Sequence, residues 1–461
     1  MLTYTLNKDL KTSLYEQLYR CIRDDILTGR LKIGEKLPSK RILADHLKIS
    51  SITVKSAYEQ LIAEGYLYAV EKKGYYVDKV DIPPHGIERR HTAATHKAKG
   101  NRLDLASNSI SSEDFPFSSW AKTMRRVLLE YESELLVSAP FNGADILRCA
   151  IADYLWQFRG MQVNPERIVI GAGTEFLYSL LIQLMGREHC YAVEDPGYAK
   201  IARIYTCHGV RTVSIPLDER GLSAAELRIS DAEIVHLSPS HHYPTGIVMP
   251  IGRRQELLRW AGEAEERYIL EDDYDSEFRF VGKPIPTLFS IDKNERVIYL
   301  NTFSKTIAPS IRISYMILPE QLMERYRRKL SFCSCTVSSF EQYTLAEFMK
   351  NGNYEQHINR MRNRYRKKRD AVIKLIEQGR LAGKGRIAEQ DAGLHFLLKL
   401  DTNLSDAVLK SRAAERGIRF SMLSDYYYNR ARAEAHTLVV NYSGTALNAL
   451  EWGFNILSEL I

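Results

Sequence analysis

Long hydrophobic runs are missing from this chain of 461 residues. Nothing in it approaches the roughly 20 consecutive apolar residues that span a bilayer. The N-terminal stretch MLTYTLNKDLKTSLYEQ is polar and has no apolar leader core, so a cytoplasmic protein is expected. Cysteine is scarce. The six, at positions 21, 149, 190, 207, 333 and 335, are too few for a disulfide scaffold, and no spacing among them reads as a zinc site. Cys333 and Cys335 read as packed neighbours. Internal repeats and low-complexity tracts are also lacking. What is present is ordinary for a globular protein, with 45% hydrophobic residues, and the length favours several domains. The charge is uneven. Residues 1–100 hold 18 Lys+Arg against 12 Asp+Glu, and the other 361 residues hold 46 against 45. A positive excess at one end suits a part that meets phosphate.

Four blocks are expected along the chain. In residues 1–78, Leu14, Leu18, Ile22 and Ile26 recur every four residues as on an amphipathic helix, with Gly29 to end it. Ser39 reads as the N-cap of a second helix, whose apolar face is Ile42, Leu43 and Leu47. After a break at Ile49-Ser50-Ser51, a third helix turns Val54, Ala57, Tyr58 and Leu61 inward. This is a helix-turn-helix, and the alternation from Tyr66 to Val77 around Lys72-Lys73-Gly74 adds a hairpin wing. Residues 79–102, with Pro83-Pro84 and several basic side chains, read as a linker. Residues 103–325 alternate short strand runs (RIVIGAG, CYAVEDPGY, TVSIPL, EIVHLSPS, YILEDDY, VIYLNTF, SYMILP) with helices, which predicts an α/β sheet domain. Residues 326–461 begin helical and then show HFLLKL, IRFSML and LVVNYS, as in a smaller α+β domain.

Chemistry concentrates in Asn301-Thr-Phe-Ser-Lys305-Thr-Ile-Ala-Pro-Ser-Ile-Arg312. A lysine after a hydroxyl-rich turn, with an arginine seven residues on, suits pyridoxal phosphate. The amine makes an imine with the aldehyde, and hydroxyls and guanidinium hold the phosphate. Asp272, ending an apolar strand, can keep the pyridine nitrogen protonated, and Tyr274 can reach the ring hydroxyl. Gly173 and Thr174 open a helix whose amides can bind phosphate, completed by Thr302, Ser304 and Arg312. Tyr198 offers a face for stacking. Each signal is common alone; their order along the chain gives them weight.

Residues 103–461 resemble the fold-type I aminotransferases, and residues 1–78 resemble a winged helix of the GntR family. The combination, with EDDYDSEFRF and FSKTIAPSIR, resembles the MocR branch of that family. The resemblance implies a bacterial transcription factor that carries pyridoxal phosphate on Lys305 and forms a homodimer. Two departures stand out. Tyr243 precedes Pro-Thr-Gly where aminotransferases have asparagine, which leaves more of the ring-hydroxyl contact to Tyr274. Tyr442-Ser-Gly444-Thr stands where they have Ser-Gly-Arg, whose arginine grips a substrate carboxylate. Arg419 and Arg430 are the replacement candidates.

On the DNA side, the second helix of the motif enters the major groove N-terminal end first, which places Ser51, Thr53 and Lys55 toward DNA. Arg41 is placed for phosphate or base, and Lys72 and Lys73 for phosphate or minor groove. Residues 360–369 hold seven Lys or Arg. They read as a solvated helix face, with an auxiliary DNA contact as the sharper alternative. The function expected is a regulator of double-stranded operator DNA that senses an amine, an amino acid or pyridoxal phosphate itself by exchange at Lys305. The rival is a working aminotransferase with an appended DNA-binding domain.

Overall fold

The computed structural model describes residues 2–7, 12–80, 103–106, 112–280, 285–389 and 392–461. Most of the expected linker, 81–102, lies outside the described residues. The chain forms two compact units, Met1–Lys97 and Ala98–Ile461. Among the described residues no helix is long and apolar enough to cross a membrane.

The first unit packs α1 (Leu14–Leu27), α2 (Lys40–Leu47) and α3 (Ser51–Ala63) against a small antiparallel sheet. That sheet is β1 (Lys36–Leu37), β2 (Leu67–Val70) and β3 (Gly74–Val77), in the order β1-β3-β2. Leu18, Ile22 and Ile26 of α1 meet Val54, Ala57, Tyr58 and Leu61 of α3 in one core. The Ser39 hydroxyl accepts the Ile42 amide at 3.4 Å, and the Ser50 hydroxyl accepts the Ile52 amide at 3.2 Å, so both motif helices start where capping chemistry dictates. One expectation fails. Ile42 is 51% exposed, and it is Leu43 and Ala44 that turn inward. A helix of eight residues buries only a narrow stripe, and Ile42 falls one residue to its side.

The second unit is built on eight strands. After β4 (Leu103–Asp104) come β5 (Ile168–Gly171), β6 (Cys190–Asp195), β7 (Arg211–Asp218), β8 (Gly221–Leu222), β9 (Ile234–Leu237), β10 (Tyr268–Asp272), β11 (Val297–Thr302) and β12 (Ser314–Ile317). The last eight form one sheet in the order β5-β12-β11-β10-β9-β6-β7-β8. The pairs from β11 through β7 are parallel, whereas β12 runs antiparallel to both neighbours. Alternate residues feed opposite faces, as a two-residue repeat requires. Ile298 and Leu300 pack on one side with Leu177 and Met323, and Tyr299 packs on the other with Ile151 and Leu345.

A second sheet contains β13 (Gly385–Ala388), β14 (His395–Leu400), β16 (Ser421–Met422) and β17 (Thr437–Asn441), while β15 (Ile418–Arg419) pairs in parallel with β4. Packing does not respect the divisions expected at 103 and 326. Leu103 and Leu105 join the core of the second sheet with Phe396, Ile418 and Phe454. Val337, Leu345 and Phe348 join the core beneath β5 and β12. Apolar faces settled both: β4 finds its partner in β15, and the helix Ser339–Lys350 lies on Asp145–Arg159.

One buried ion pair fastens the main sheet at the carboxyl end of β10. Arg159 meets the Asp273 carboxylate at 2.7 Å, and Tyr299 and Ser276 donate to the same oxygen at 2.7 and 2.8 Å. Arg159→Ala leaves that buried carboxylate with hydroxyl partners only. It is expected to lower the unfolding free energy of the full chain by about 3–5 kcal/mol, read from chemical denaturation followed by tryptophan fluorescence. An unshifted midpoint would contradict the assignment.

Candidate functional site

In an open parallel sheet, side chains after the carboxyl ends of the strands converge on a crevice, because the loops there carry no ladder obligations. Here the ends of β5, β6, β9, β10 and β11 deliver Thr174, Glu194, Ser238, Asp272 and Thr302 to one cavity of about 320 Å³, which Lys305 and Arg312 also line. A more open cleft of about 550 Å³ by Glu113, Asp114 and Arg364 is larger but lined by side chains already paired with one another, so size does not locate the chemistry.

Asp272 is the last residue of β10 and is buried. Its Oδ2 accepts the Tyr178 hydroxyl at 2.5 Å and lies 3.6 Å from Nε2 of His236, whose Nδ1 is 2.6 Å from the Tyr205 hydroxyl. Its Oδ1 is buried without a partner among the described residues. A buried carboxylate oxygen left unpaired is costly, and a protonated ring nitrogen would satisfy it. Lys305 follows β11 by three residues. Burial pushes its amine down to about 8, against the opposing influence of Asp275. Tyr274 lines the cavity with its hydroxyl 3.4 Å from His241 Nδ1, and burial pushes that phenol well up.

At the other end the helix Thr174–Met185 begins at Gly173, which has no side chain to cap it. Gly173 has φ +93°, and a Cβ there would collide with the Arg312 guanidinium. Arg312 reaches across to the Ala172 carbonyl at 3.4 Å. Uncapped helix amides beside a guanidinium and the Ser304 hydroxyl make a cradle for a phosphate. Thr302 lines the cavity too, but its hydroxyl accepts from Ser314 Oγ at 2.8 Å and from the Ser304 amide at 3.1 Å, so it shapes the turn that presents Ser304. Tyr198 is half exposed, edge-on to Tyr243 at 5.8 Å between ring centroids.

The structure thus brings Gly173, Thr174, Tyr198, Asp272, Tyr274, Thr302, Ser304, Lys305 and Arg312 together. Arg419 and Arg430 are not among the cavity's lining residues. Arg419 lies 3.4 Å from Asp104 and Arg430 donates to the Ser424 carbonyl at 2.5 Å. Tyr243 bonds Tyr426 at 2.8 Å between hydroxyls. Sequence reasoning missed Tyr178, His236 and Glu194. Tyr178 was findable, since it stands four residues after Thr174 and so on the same helix face. Burial pushes the Glu194 carboxyl up to about 8, and it accepts the Ser238 amide at 3.0 Å.

In the first unit Arg41, Ser51, Lys55, Lys72 and Lys73 are exposed and Thr53 is half buried. Lys55 lies 3.6 Å from Glu59, one turn on. Lys72 takes a left-handed conformation, φ 61°, at the tip of the wing. The basic stretch 360–369 is largely employed internally. Arg362 donates to the Glu277 carbonyl at 2.9 Å, Arg364 pairs with Asp114 at 2.7 Å, Lys368 donates to the Ser443 carbonyl at 2.7 Å, and Arg369 lies over the Phe280 ring.

Comparison with known proteins agrees with both halves. Residues 14–77 match the bacterial regulatory proteins of the gntR family, and residues 101–425 match aminotransferase class I and II. The chain is 38% identical to an uncharacterized HTH-type transcriptional regulator, YdeL, of Bacillus subtilis, over 99% of this chain and 98% of that one. It is 30% identical to the probable rhizopine catabolism regulatory protein MocR of Rhizobium meliloti, over 98% and 94%. Among solved structures, the multiple substrate aminotransferase of Thermococcus profundus superposes with a TM-score of 0.69 at 25% identity, covering 78% of this chain and 91% of that one.

The Lys305 amine carries a direct test. Because the fold depresses its value, the neutral amine is the form the folded chain favours, and the associated stability is lost as pH falls through about 8. In cofactor-free protein, acylation of Lys305 followed by peptide mass spectrometry is expected to rise with a midpoint near 8. A midpoint near the ~10.4 of an exposed lysine would contradict the burial argument.

Proposed function

Because the chain belongs to the MocR-type branch of the GntR family, in which a winged helix is joined to an aminotransferase class I and II domain, we propose that it is a transcriptional regulator that reads operator DNA and responds through a pyridoxal phosphate site. The observation that carries the cofactor half is the unpartnered buried Oδ1 of Asp272, in a cavity that Lys305 and Arg312 also line. Pyridoxal phosphate supplies an aldehyde that condenses reversibly with primary amines and a ring that draws electrons from the attached carbon.

The residues divide the work. Gly173, Thr174, Ser304 and Arg312 take the phosphate, Asp272 holds a proton on the ring nitrogen, and Tyr274 faces the ring hydroxyl. Tyr198 covers the ring, and Lys305 offers its amine in neutral form at an accessible pH. A small primary amine or amino acid competes with Lys305, and the altered occupancy changes operator affinity. A coupling of about 1–3 kcal/mol suffices for such a switch. In the first unit, Arg41, Ser51, Thr53, Lys55, Lys72 and Lys73 supply the DNA contacts, phosphates giving affinity and base edges giving sequence. Such a regulator works in the cytoplasm, where its operator is. With neither Arg419 nor Arg430 at the cavity and threonine at 445, efficient transamination of amino acids lacks its carboxylate grip.

A second copy of the chain is the natural cover for an apolar face of the second unit. Leu128, Leu129, Leu136 and Val137 are exposed in one stretch, and Ser339 Oγ donates to the Val137 carbonyl, which brings the start of another exposed-edged helix to it. Apolar surface of this kind marks interfaces, and two-fold pairing suits a palindromic operator.

Two measurements test the reading. Wild-type protein loaded with pyridoxal phosphate and treated with borohydride is expected to carry the cofactor mass on the Lys305 peptide. Lys305→Ala loses it, and Gly173→Ala, by displacing Arg312, weakens loading at least tenfold. Operator affinity, titrated with cofactor and with amines, is expected to move about fivefold or more. Unchanged affinity alongside robust turnover of amino acids would favour an enzyme instead. In sedimentation, wild-type protein is expected as a dimer, and Leu129→Glu with Leu136→Glu as a monomer; a wild-type monomer at micromolar concentration would refute the pairing.

A further inference from the structure

Ile52 is the second residue of α3, and at 71% it is more exposed than any other large apolar side chain among the described residues of the first unit. The buried face of α3 is set by Val54, Ala57, Tyr58 and Leu61. At about 100° per residue, Ile52 stands about 200° from Val54, pointing directly away from the core. Its backbone is fixed there, because the Ser50 hydroxyl accepts the Ile52 amide at 3.2 Å and so sets where the helix begins. Exposed polar and cationic side chains flank it on α3: Ser51 before it and Lys55 one turn on. The core gains nothing from a branched apolar side chain in this position, and a polar residue would serve solubility better. The position is, however, at the N-terminal end of the second helix of the motif, the end that meets base edges. Of the groups displayed on those edges in the major groove, only the C5-methyl of thymine is apolar.

Resting on the regulator reading above, we propose that Ile52 is a specificity-determining residue that packs on the C5-methyl of a thymine in each operator half-site. The surrounding charges hold the duplex; Ile52 selects by shape and apolar contact, where a side chain that hydrogen-bonds a base would otherwise stand. Removing the single methyl on the DNA side is expected to weaken binding about fourfold, the value of one buried methyl-sized group.

The experiment uses the full chain loaded with pyridoxal phosphate. Duplexes are enriched from a randomised library, and each thymine of the enriched half-site is then replaced in turn by deoxyuridine, which lacks only the methyl. One thymine per half-site is expected to show the fourfold loss with wild-type protein. Ile52→Ser, whose thermal melt is expected to match wild type because the side chain is exposed, no longer distinguishes the two bases there. Ile42→Ser, an exposed isoleucine on α2, still does. Tight selective binding with no thymine preferred over deoxyuridine overturns the proposal alone, as does discrimination retained by Ile52→Ser. Failure to enrich any sequence overturns it together with the regulator reading.

Discussion

Asp272 ends a parallel strand whose residues are all buried, and its two carboxylate oxygens are treated differently by the fold. One is held by Tyr178 at 2.5 Å, with His236 behind it and Tyr205 behind that. The other is left without a partner among the described residues. Leaving a buried acceptor unmade costs about 1–3 kcal/mol, more when it is charged. At Asp272 a cationic ring can remove that cost. The placement depends on the sheet. β10 lies between β9 and β11, both parallel to it, so its carboxyl end opens onto the crevice and nowhere else. The neighbouring Asp273, by contrast, has an arginine on one carboxylate oxygen, with Tyr299 and Ser276 donating to that same oxygen. Successive side chains leave the strand in opposite directions, so the two adjacent carboxylates meet different partners.

The anion end rests on backbone geometry as much as on charge. Gly173 can sit under the Arg312 guanidinium only because it has no Cβ, and its positive φ turns the chain into the helix Thr174–Met185. Arg312 itself adopts a left-handed conformation, φ 52°, in the bend before β12. Two unusual backbone positions from opposite ends of the sheet's order in sequence meet because β5 and β12 are neighbours in space. The antiparallel pairing of β12 with β5 is what brings this arginine to this glycine.

Much of this was legible in the sequence, and the reasons differ by residue. Strands that are buried on both faces read as continuous apolar runs, so their ends, and with them Gly173, Asp272 and Lys305, could be placed by inspection. The motif helices carried their own caps in Ser39 and Ser50. Long-range packing left no such mark. Nothing local says that Leu103 belongs with Phe396 and Phe454, or that the helix after Ser338 belongs with the main sheet. Ile42 looked like core because it is apolar, and apolar type is only a one-way guide to burial. The arginines at 419 and 430 were chosen for charge alone, and their partners, Asp104 and the Ser424 carbonyl, are fixed by a tertiary fold that charge does not encode.

The cavity's contents also bear on how a signal could leave it. The loop Asp195-Pro-Gly-Tyr198 is tied to the later chain at several points. The Gly197 amide donates to the Tyr426 carbonyl at 3.1 Å, and the Tyr428 and Asn429 amides donate to Asp195 at 2.8 and 3.1 Å. Tyr243 meets Tyr426, and His395 Nε2 lies 3.1 Å from the Pro244 carbonyl. Burial pushes His395 well below its usual range, so its contact with the Pro244 carbonyl is made by a neutral ring. Neutral contacts cost little to break and remake compared with a buried ion pair, which resists separation by about 3–5 kcal/mol. Tyr198 and Tyr243 both line the cavity; Tyr243 bonds Tyr426 directly, and Tyr198 follows Gly197, whose amide donates to the Tyr426 carbonyl. That segment lies between β16 and β17 of the second sheet. The Arg159–Asp273 pair is a bond of that stiffer kind, and it ties the end of the helix Asp145–Arg159 to the residue after β10.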